Sequence, residues 1–419
     1  MNAATQSGRM TVAIFGACNA GKSSLFNAIT DTDNAIVSDI PGTTTDPVVK
    51  VMELLPHGPI TLIDTAGLGD GSPLGEARVQ KTAAVLNRAN LVLYAIDPQS
   101  PDWDEYRAFV QELKRRGAAY LTLITKADAC PDTCPEELIA DVFRKCPPDI
   151  HLDECPDIRP NVMAVSSFQP ETLERLKAEM AKRLDALREE ERDLLGGLLP
   201  AGAVMVCVIP VDSEAPVGRL ILPEAQMIRA CLDHRLRCHV TTELDLADAL
   251  RDLRRVDLVV TDSQAFGFVS RIVPPEIPLT SFSILMARQK GDLKLLLAGV
   301  KSIPNLRDGD KVLVAETCTH NRSHEDIGRV KIPKLLLKIT GKNLDIHFTS
   351  GREYPENLNE YALIIHCGGC MIARIEMINR LRAAREHGAA ITNYGLFLAY
   401  CNDVLDRSLA ILRDEVEVF

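Results

Sequence analysis

From Thr11 to about Ser167 short apolar runs alternate with helical patterns: TVAIF, then KSSLFNAI, then ITLI, LVLYAI, AYLTLI and NVMAV. Runs this short and uniformly apolar, separated by helices, predict a mostly parallel sheet covered on both faces. The stretch ETLERLKAEMAKRLDALREEERDL then keeps Leu173, Leu176, Met180, Leu184 and Leu187 on one helical stripe. Its other faces are densely charged, which predicts a closing helix running into a linker near Gly196 and Gly197.

A second unit opens with the apolar run AVMVCVIPV, passes through helical patterns around EAQMIRACLDHRL and LADALRDLRR, and returns to the strand VDLVV. The proline-rich break VPPEIP predicts a boundary after it. So small a unit has a thin core unless a second copy covers an edge or face, so it is expected to form a homodimer. The remainder holds the strands KVLVAE and YALIIH, flanked by helices. The expected division is 1–192, 193–274 and 275–419, three α/β domains. At 419 residues the length suits that number.

Composition narrows the function. With 47 Lys and Arg against 58 Asp and Glu, the net charge of −11 repels a polyphosphate backbone, so no nucleic-acid partner is expected. No run approaches the length of a membrane span, and the opening MNAATQSGRM lacks the charged and apolar regions of a secretory signal. The expectation is a cytoplasmic protein without a membrane partner, whose 12 cysteines are packed thiols or metal ligands rather than disulfides.

The string GACNAGKSS, Gly16 to Ser24, fits G-x-x-x-x-G-K-S between a strand and a helix start. In that context the turn's N–H groups and the helix N-terminus cradle phosphates, with Gly16, Asn19, Gly21 and Ser24 in the loop. Lys22 reaches the β and γ phosphates, and Ser23 gives Mg²⁺ an oxygen. Asp64 ends the strand before DTAG, where a carboxylate can hold the water shell of Mg²⁺, and the Gly67 N–H can sense the γ phosphate. Thr43 and Thr44, in PGTTTD, offer hydroxyls on a loop able to close over Mg²⁺. Lys126 and Asp128, in TKAD, are placed to stack on and pair with guanine, which selects GTP. Thr125 stands where such motifs have Asn, which should weaken the bracing of the loop. Ser166, in VSS, closes the base site.

These features resemble the translation-factor class of P-loop GTPases, and within it the potassium-activated GTPases that modify tRNA. The resemblance rests on Asn19, on Gly42-Thr43-Thr44-Thr45-Asp46, and on Glu76 nine residues after Gly67; Leu68 follows Gly67 where small signalling GTPases carry glutamine. It implies K⁺ held by Asn19 and a catalytic Glu76 that positions water, although Glu76 also reads as a carboxylate on a solvated helix.

Cysteines form a second focus. Cys207 and Cys231 lie in apolar patterns and are expected to be packed, whereas Cys130, Cys134, Cys146 and Cys155 admit zinc or incidental roles. HCGGC, with Cys367 and Cys370, follows the strand YALIIH, and TCTH, with Cys318 and His320, follows KVLVAE. If both strands are parallel in one sheet, both loops open at one edge and three thiols converge. That set fits a [4Fe-4S] cluster with a replaceable corner, or zinc. The fourth ligand stays open among His320, His324, Glu325, Asp326 and His366.

C-T-H, then 45 residues, then H-C-x-x-C, on a chain that begins with such a GTPase domain, resembles the HydF family of [FeFe]-hydrogenase maturation scaffolds. PVDSEAPVGRLILP, VTDSQAF, PLTSFSILMAR, PNLRDGD and DIGRVKIP carry the likeness through the rest of the chain. It implies an N-terminal P-loop GTPase domain, a small α/β dimerisation domain and a C-terminal α/β iron–sulfur domain. It also implies a [4Fe-4S] cluster, assembly of a diiron precursor with the radical-SAM maturases HydE and HydG, and delivery to the [FeFe]-hydrogenase apoprotein. The competing readings are a potassium-activated GTPase acting in RNA modification and a GTPase with structural zinc.

Overall fold

The computed structural model describes residues 9–30, 47–65, 82–130, 133–145, 161–189, 193–211, 220–317, 327–351, 354–355 and 357–416. The chain divides into two compact units, residues 8–190 and the part from residue 191 onward.

In the first unit β1 (Met10–Gly16), α1 (Lys22–Thr30), β2 (Val48–Leu54), β3 (Gly58–Asp64) and β4 (Leu91–Ile96) are followed by α2 (Trp103–Arg116), β5 (Ala119–Ile124), α3 (Pro135–Arg144), β6 (Val162–Ala164) and α4 (Pro170–Glu189). The sheet order is β2-β3-β1-β4-β5-β6, parallel except for β2, which runs antiparallel to β3. Because side chains alternate along a strand, β1 feeds two cores. Met10, Val12 and Ile14 join Leu25, Phe26 and the α4 residues Leu173, Leu176, Met180 and Leu184 on one face. Ala13 and Phe15 join Tyr94, Trp103, Tyr106 and Phe109 on the other. The helical stripe read from the sequence is therefore the packed face of α4. The edge strand β2 was not legible: Lys50 and Glu53 interrupt VVKVMEL, and only Met52 and Leu54 are buried.

The second unit carries two four-stranded sheets. The first comprises β7 (Val204–Val208), α5 (Leu222–Asp233), β8 (Arg237–Thr241), α6 (Leu246–Asp252), β9 (Leu258–Thr261), α7 (Phe266–Ile272) and β10 (Leu279–Ser281), in strand order β10-β9-β7-β8, all parallel. After α8 (Phe282–Lys290) and α9 (Leu293–Ser302) come β11 (Lys311–Ala315), α10 (Ile332–Thr340), β12 (Asp345–Thr349), β13 (Leu363–His366), α11 (Arg374–Glu386), β14 (Ala390–Asn393) and α12 (Tyr394–Cys401). Their strand order is β12-β11-β13-β14, again all parallel.

One apolar core runs through both sheets. The reason is α8, whose Phe282, Ile284, Leu285, Met286 and Ala287 are all buried. These buried positions, with Arg288 and Lys290, are spread around the helix, so it needs cover on every side, and α8 packs against α5, α11 and α12.

The VPPEIP segment differs from its expected role as a boundary. It is a tight connection from α7 into β10, which lies beyond residue 274 and completes the first of these sheets. Prolines donate no hydrogen bond, and the carbonyls of Val273, Pro274 and Ile277 are held instead by Arg407 Nη2. Among the described residues no helix is long and apolar enough to cross a membrane.

Candidate functional site

At the tip of β1 the backbone makes a phosphate-sized nest. Gly16, Asn19 and Gly21 have φ of 139°, 63° and 84°, and α1 begins at Lys22. A Cβ on Gly16 would stand 2.3 Å from Ala95 O, so only glycine fits there. Lys22 is buried, and its Nζ donates to Gly16 O at 2.8 Å and Ala17 O at 2.6 Å, holding the loop around its own ammonium. Burial lowers the Lys22 pKa.

Ser23 Oγ donates to Asp64 Oδ2 at 2.7 Å. Burial raises the Asp64 pKa, and its buried Oδ1 accepts no hydrogen bond from any described residue. An orphaned carboxylate oxygen beside a serine hydroxyl fits a hydrated Mg²⁺. Ser24 and Asn19 are exposed at the mouth.

The base motif is also assembled. Thr125, expected to brace poorly, places its hydroxyl 2.8 Å from Ala20 O and 3.0 Å from Ile96 O, tying the phosphate loop to the tip of β4. Asp128 Oδ1 accepts from Ser166 Oγ at 2.5 Å, and Ser166 N donates to Thr172 Oγ1 at 3.0 Å. Lys126 Nζ donates to Asp97 Oδ2 at 2.5 Å. Sequence reasoning passed over Asp97 and Thr172; a carboxylate at the tip of LVLYAI was the available signal. Thr43, Thr44, Gly67 and Glu76 lie outside the described residues.

In the second unit β11 and β13 are adjacent and parallel, with Ala315 opposite His366, so the segments that follow them leave the same sheet edge. Thr317 N donates to Cys367 Sγ at 3.2 Å, with Thr317 Oγ1 also at 3.2 Å, and Cys367 N donates to Ala315 O. Cys367 and Cys370 are half-buried cysteines on a turn whose Gly369 has φ 63°. A backbone N–H aimed at the Cys367 sulfur favours its thiolate, and with Cys370 three residues on, the turn offers two thiols to one metal. Cys318, His320, His324, Glu325 and Asp326 lie outside the described residues. Among those described, no three His, Cys, Asp or Glu side chains are arranged to hold a metal ion.

His366 already has partners. Arg380 Nη1 lies 3.1 Å from its Nε2, and a guanidinium can only donate, so Nδ1 carries the proton given to Cys367 O at 2.7 Å. Burial and the nearby Arg380 push its pKa down to about 3. Both ring nitrogens are engaged with protein, which removes His366 from the possible ligands in this arrangement. Arg380 itself donates to Glu376 at 3.1 Å and stacks over Tyr354.

The other cysteines divide as follows. Cys207 and Cys231 are buried, and Cys207 Sγ lies 3.7 Å from Cys238 Sγ. Cys134 caps α3 by accepting from Glu137 N, while Cys130 packs against the core; Cys146 and Cys155 lie outside the described residues.

Against known families, residues 194–291 match the hydrogen maturase F dimerization domain and residues 294–411 its tetramerization domain. The chain belongs to the hydrogen maturase F family. Residues 11–126 match a family described as 50S ribosome-binding GTPase, so a GTPase, a dimerization and a tetramerization domain, all α/β, follow one another along the chain.

Among curated proteins, GTPase Der of Kosmotoga olearia is 32% identical over 141 residues, covering 32% of this chain and 32% of its own. The tRNA modification GTPase MnmE of Trichodesmium erythraeum is 33% identical over 207 residues, 48% of this chain and 41% of its own. The chain thus spans well under half the length of these relatives. Among solved structures, the G domain of the T. maritima FeoB iron transporter is 26% identical and covers 42% of this chain and 99% of that chain, with a TM-score of 0.31.

Proposed function

We propose that this chain is a GTP-hydrolysing scaffold that binds a [4Fe-4S] cluster and assembles or delivers the diiron precursor of the [FeFe]-hydrogenase active site. The observation that supports it most is the presence, in one member of this family, of a formed phosphate loop and a paired-cysteine turn at the edge of a parallel sheet.

In the nucleotide unit Lys22 exchanges its loop carbonyls for the β and γ phosphates, and Ser23, Asp64 and Thr44 hold Mg²⁺ and its waters. Lys126, Asp128 and Ser166 bind the guanine. Asn19 holds K⁺, which supplies the positive charge an arginine finger otherwise gives, while Glu76 and the Gly67 N–H position water and the γ phosphate. GTP is cleaved to GDP and phosphate.

Cys318, Cys367 and Cys370 hold the cluster, with His320 or Glu325 at the fourth iron. A bound [4Fe-4S] cluster supplies one-electron chemistry and a corner open to an exogenous ligand. The expected partners are a second copy through residues 194–291, the radical-SAM maturases HydE and HydG, and the hydrogenase apoprotein, all in the cytoplasm.

The test is anaerobic purification with iron and sulfide analysis, followed by GTP turnover in K⁺ and in Na⁺. A brown, iron- and sulfide-bearing protein that hydrolyses GTP in K⁺ is expected. Colourless protein holding only zinc would overturn the scaffold reading. Equal turnover in both salts, or an Asn19→Ala variant that keeps a K⁺ response, would remove K⁺ from it.

A further inference from the structure

Lys290, the last residue of α8, is 7% exposed, although lysine is rarely buried without compensation. Its Nζ lies 3.3 Å from Gly369 O, 3.0 Å from Cys370 O and 3.0 Å from Ile372 O. We propose that Lys290 is a positioning residue for the Cys367–Cys370 turn: it fixes the turn through three carbonyls and sets one buried positive charge beside the thiol pair. The proposal rests on the reading of Cys367 and Cys370 as cluster ligands.

The turn needs such a fastening. Gly369 sits at φ 63°, Ile372 N donates back to Gly369 O, and α11 does not begin until Arg374. The carbonyls of Gly369 and Cys370 therefore lie outside any helix, and Lys290 gives both a charged donor, in addition to the Ile372 N–H that Gly369 O already accepts. Because each trans peptide directs N–H opposite to C=O, engaging these carbonyls turns the N–H groups of Cys370 and Met371 away from the ammonium.

The end of α8 is itself anchored. Arg374 Nε donates to Gln289 O, a second tie between α8 and the start of α11. One residue earlier, the buried Arg288 donates to the carbonyls of Asp193, Leu194 and Gly196 and pairs with Glu415. Lys290 thus projects from a rigid post onto the turn.

The electrostatic consequence is specific. A thiolate-bound cluster becomes more negative on reduction, and a buried cation nearby favours the reduced form more than water would. A residue with only a packing role would not separate a neutral Gln from a charge-keeping Arg at this position.

The test is EPR-monitored redox titration of the reconstituted full-length protein, wild type against Lys290→Gln and Lys290→Arg, with iron content and thermal melting recorded for each. For K290Q the reduced form should lose at least about tenfold relative to the oxidised, ~59 mV for one electron, while K290R stays within about threefold of wild type. A folded, loaded K290Q with the wild-type potential overturns the proposal and leaves the cluster reading intact. If K290Q does not fold or load, K290R decides: a potential within threefold supports the proposal, and a loaded K290R displaced by tenfold or more overturns it. Wild-type protein that takes up no iron and sulfide overturns the cluster reading and this proposal with it.

Discussion

Lys22 and Lys290 are equally buried, and each donates to carbonyls of a glycine-containing turn at the C-terminal end of a parallel strand. The first serves the turn after β1, the second the turn after β13. They differ in origin: Lys22 reaches carbonyls five and six residues before it, whereas Lys290 reaches a turn 79 to 82 residues further along the chain. A latch within its own loop can let go if, as proposed, phosphates take the place of those carbonyls at the same ammonium. A latch from another helix meets no such competitor within the proposed function. The phosphate loop is thus built to exchange partners and the cysteine turn to keep its shape.

The largest expected effect tests the exchange. Lys22→Met removes charge-assisted bonds to the phosphates and should weaken nucleotide binding by roughly a hundredfold. Fluorescence titration with a labelled GDP reads this; affinity within threefold of wild type would break the parallel.

Next in size is the glycine pair. Gly16→Ala drives a Cβ to 2.3 Å from the backbone oxygen of Ala95, which cannot give way, and should cost about 3 kcal/mol in urea unfolding. Gly369→Ala meets only the flexible end of Met377, also at 2.3 Å, and should cost about 1 kcal/mol, chiefly for its φ of 63°. Equal costs at the two positions would show that the cysteine turn is as tightly enclosed as the phosphate loop.

Asp64 sharpens the contrast through pH. Burial raises its folded-state pKa, so its protonated form favours the native state, and that stability is lost as pH rises through the folded value. Asp64→Asn should flatten this dependence and raise the melting point of metal-free protein by the equivalent of about 1 kcal/mol, while abolishing Mg²⁺-dependent turnover. Thermal melts at several pH values check the sign; a lower melting point for D64N would contradict it.

The smallest effect is at Thr125. Thr125→Val leaves Ala20 O without its side-chain donor and should cost about 1 kcal/mol, or roughly fivefold in nucleotide affinity. No change would mean the loop is braced elsewhere.

Both focal turns were legible because each lies in one short stretch of sequence. GACNAGKSS contains its own lysine and glycines, and HCGGC its own thiols. The helical stripe of α4 was legible for the same reason, since its period repeats locally. The strands β8, β10, β12 and β14 were not: they are three to five residues long and all four lie at sheet edges, β8 and β12 with exposed positions. The brace from Thr125 to Ala20 was not legible because the substituted residue type was visible and its distance to the loop was not.

By itself the sequence determined whatever depends on neighbours along the chain: the phosphate loop, the apolar periods, the cysteine pair and the family to which they point. Only tertiary structure decided that α8 would join two sheets into one core, that VPPEIP would be a connection inside a sheet, that Arg380 would occupy His366, and that Lys290 would hold the cysteine turn. The physical reason is common to all four. A buried polar group or an apolar helix must find its partner among whatever surfaces the fold brings within a few ångströms, and sequence separation carries no record of that distance.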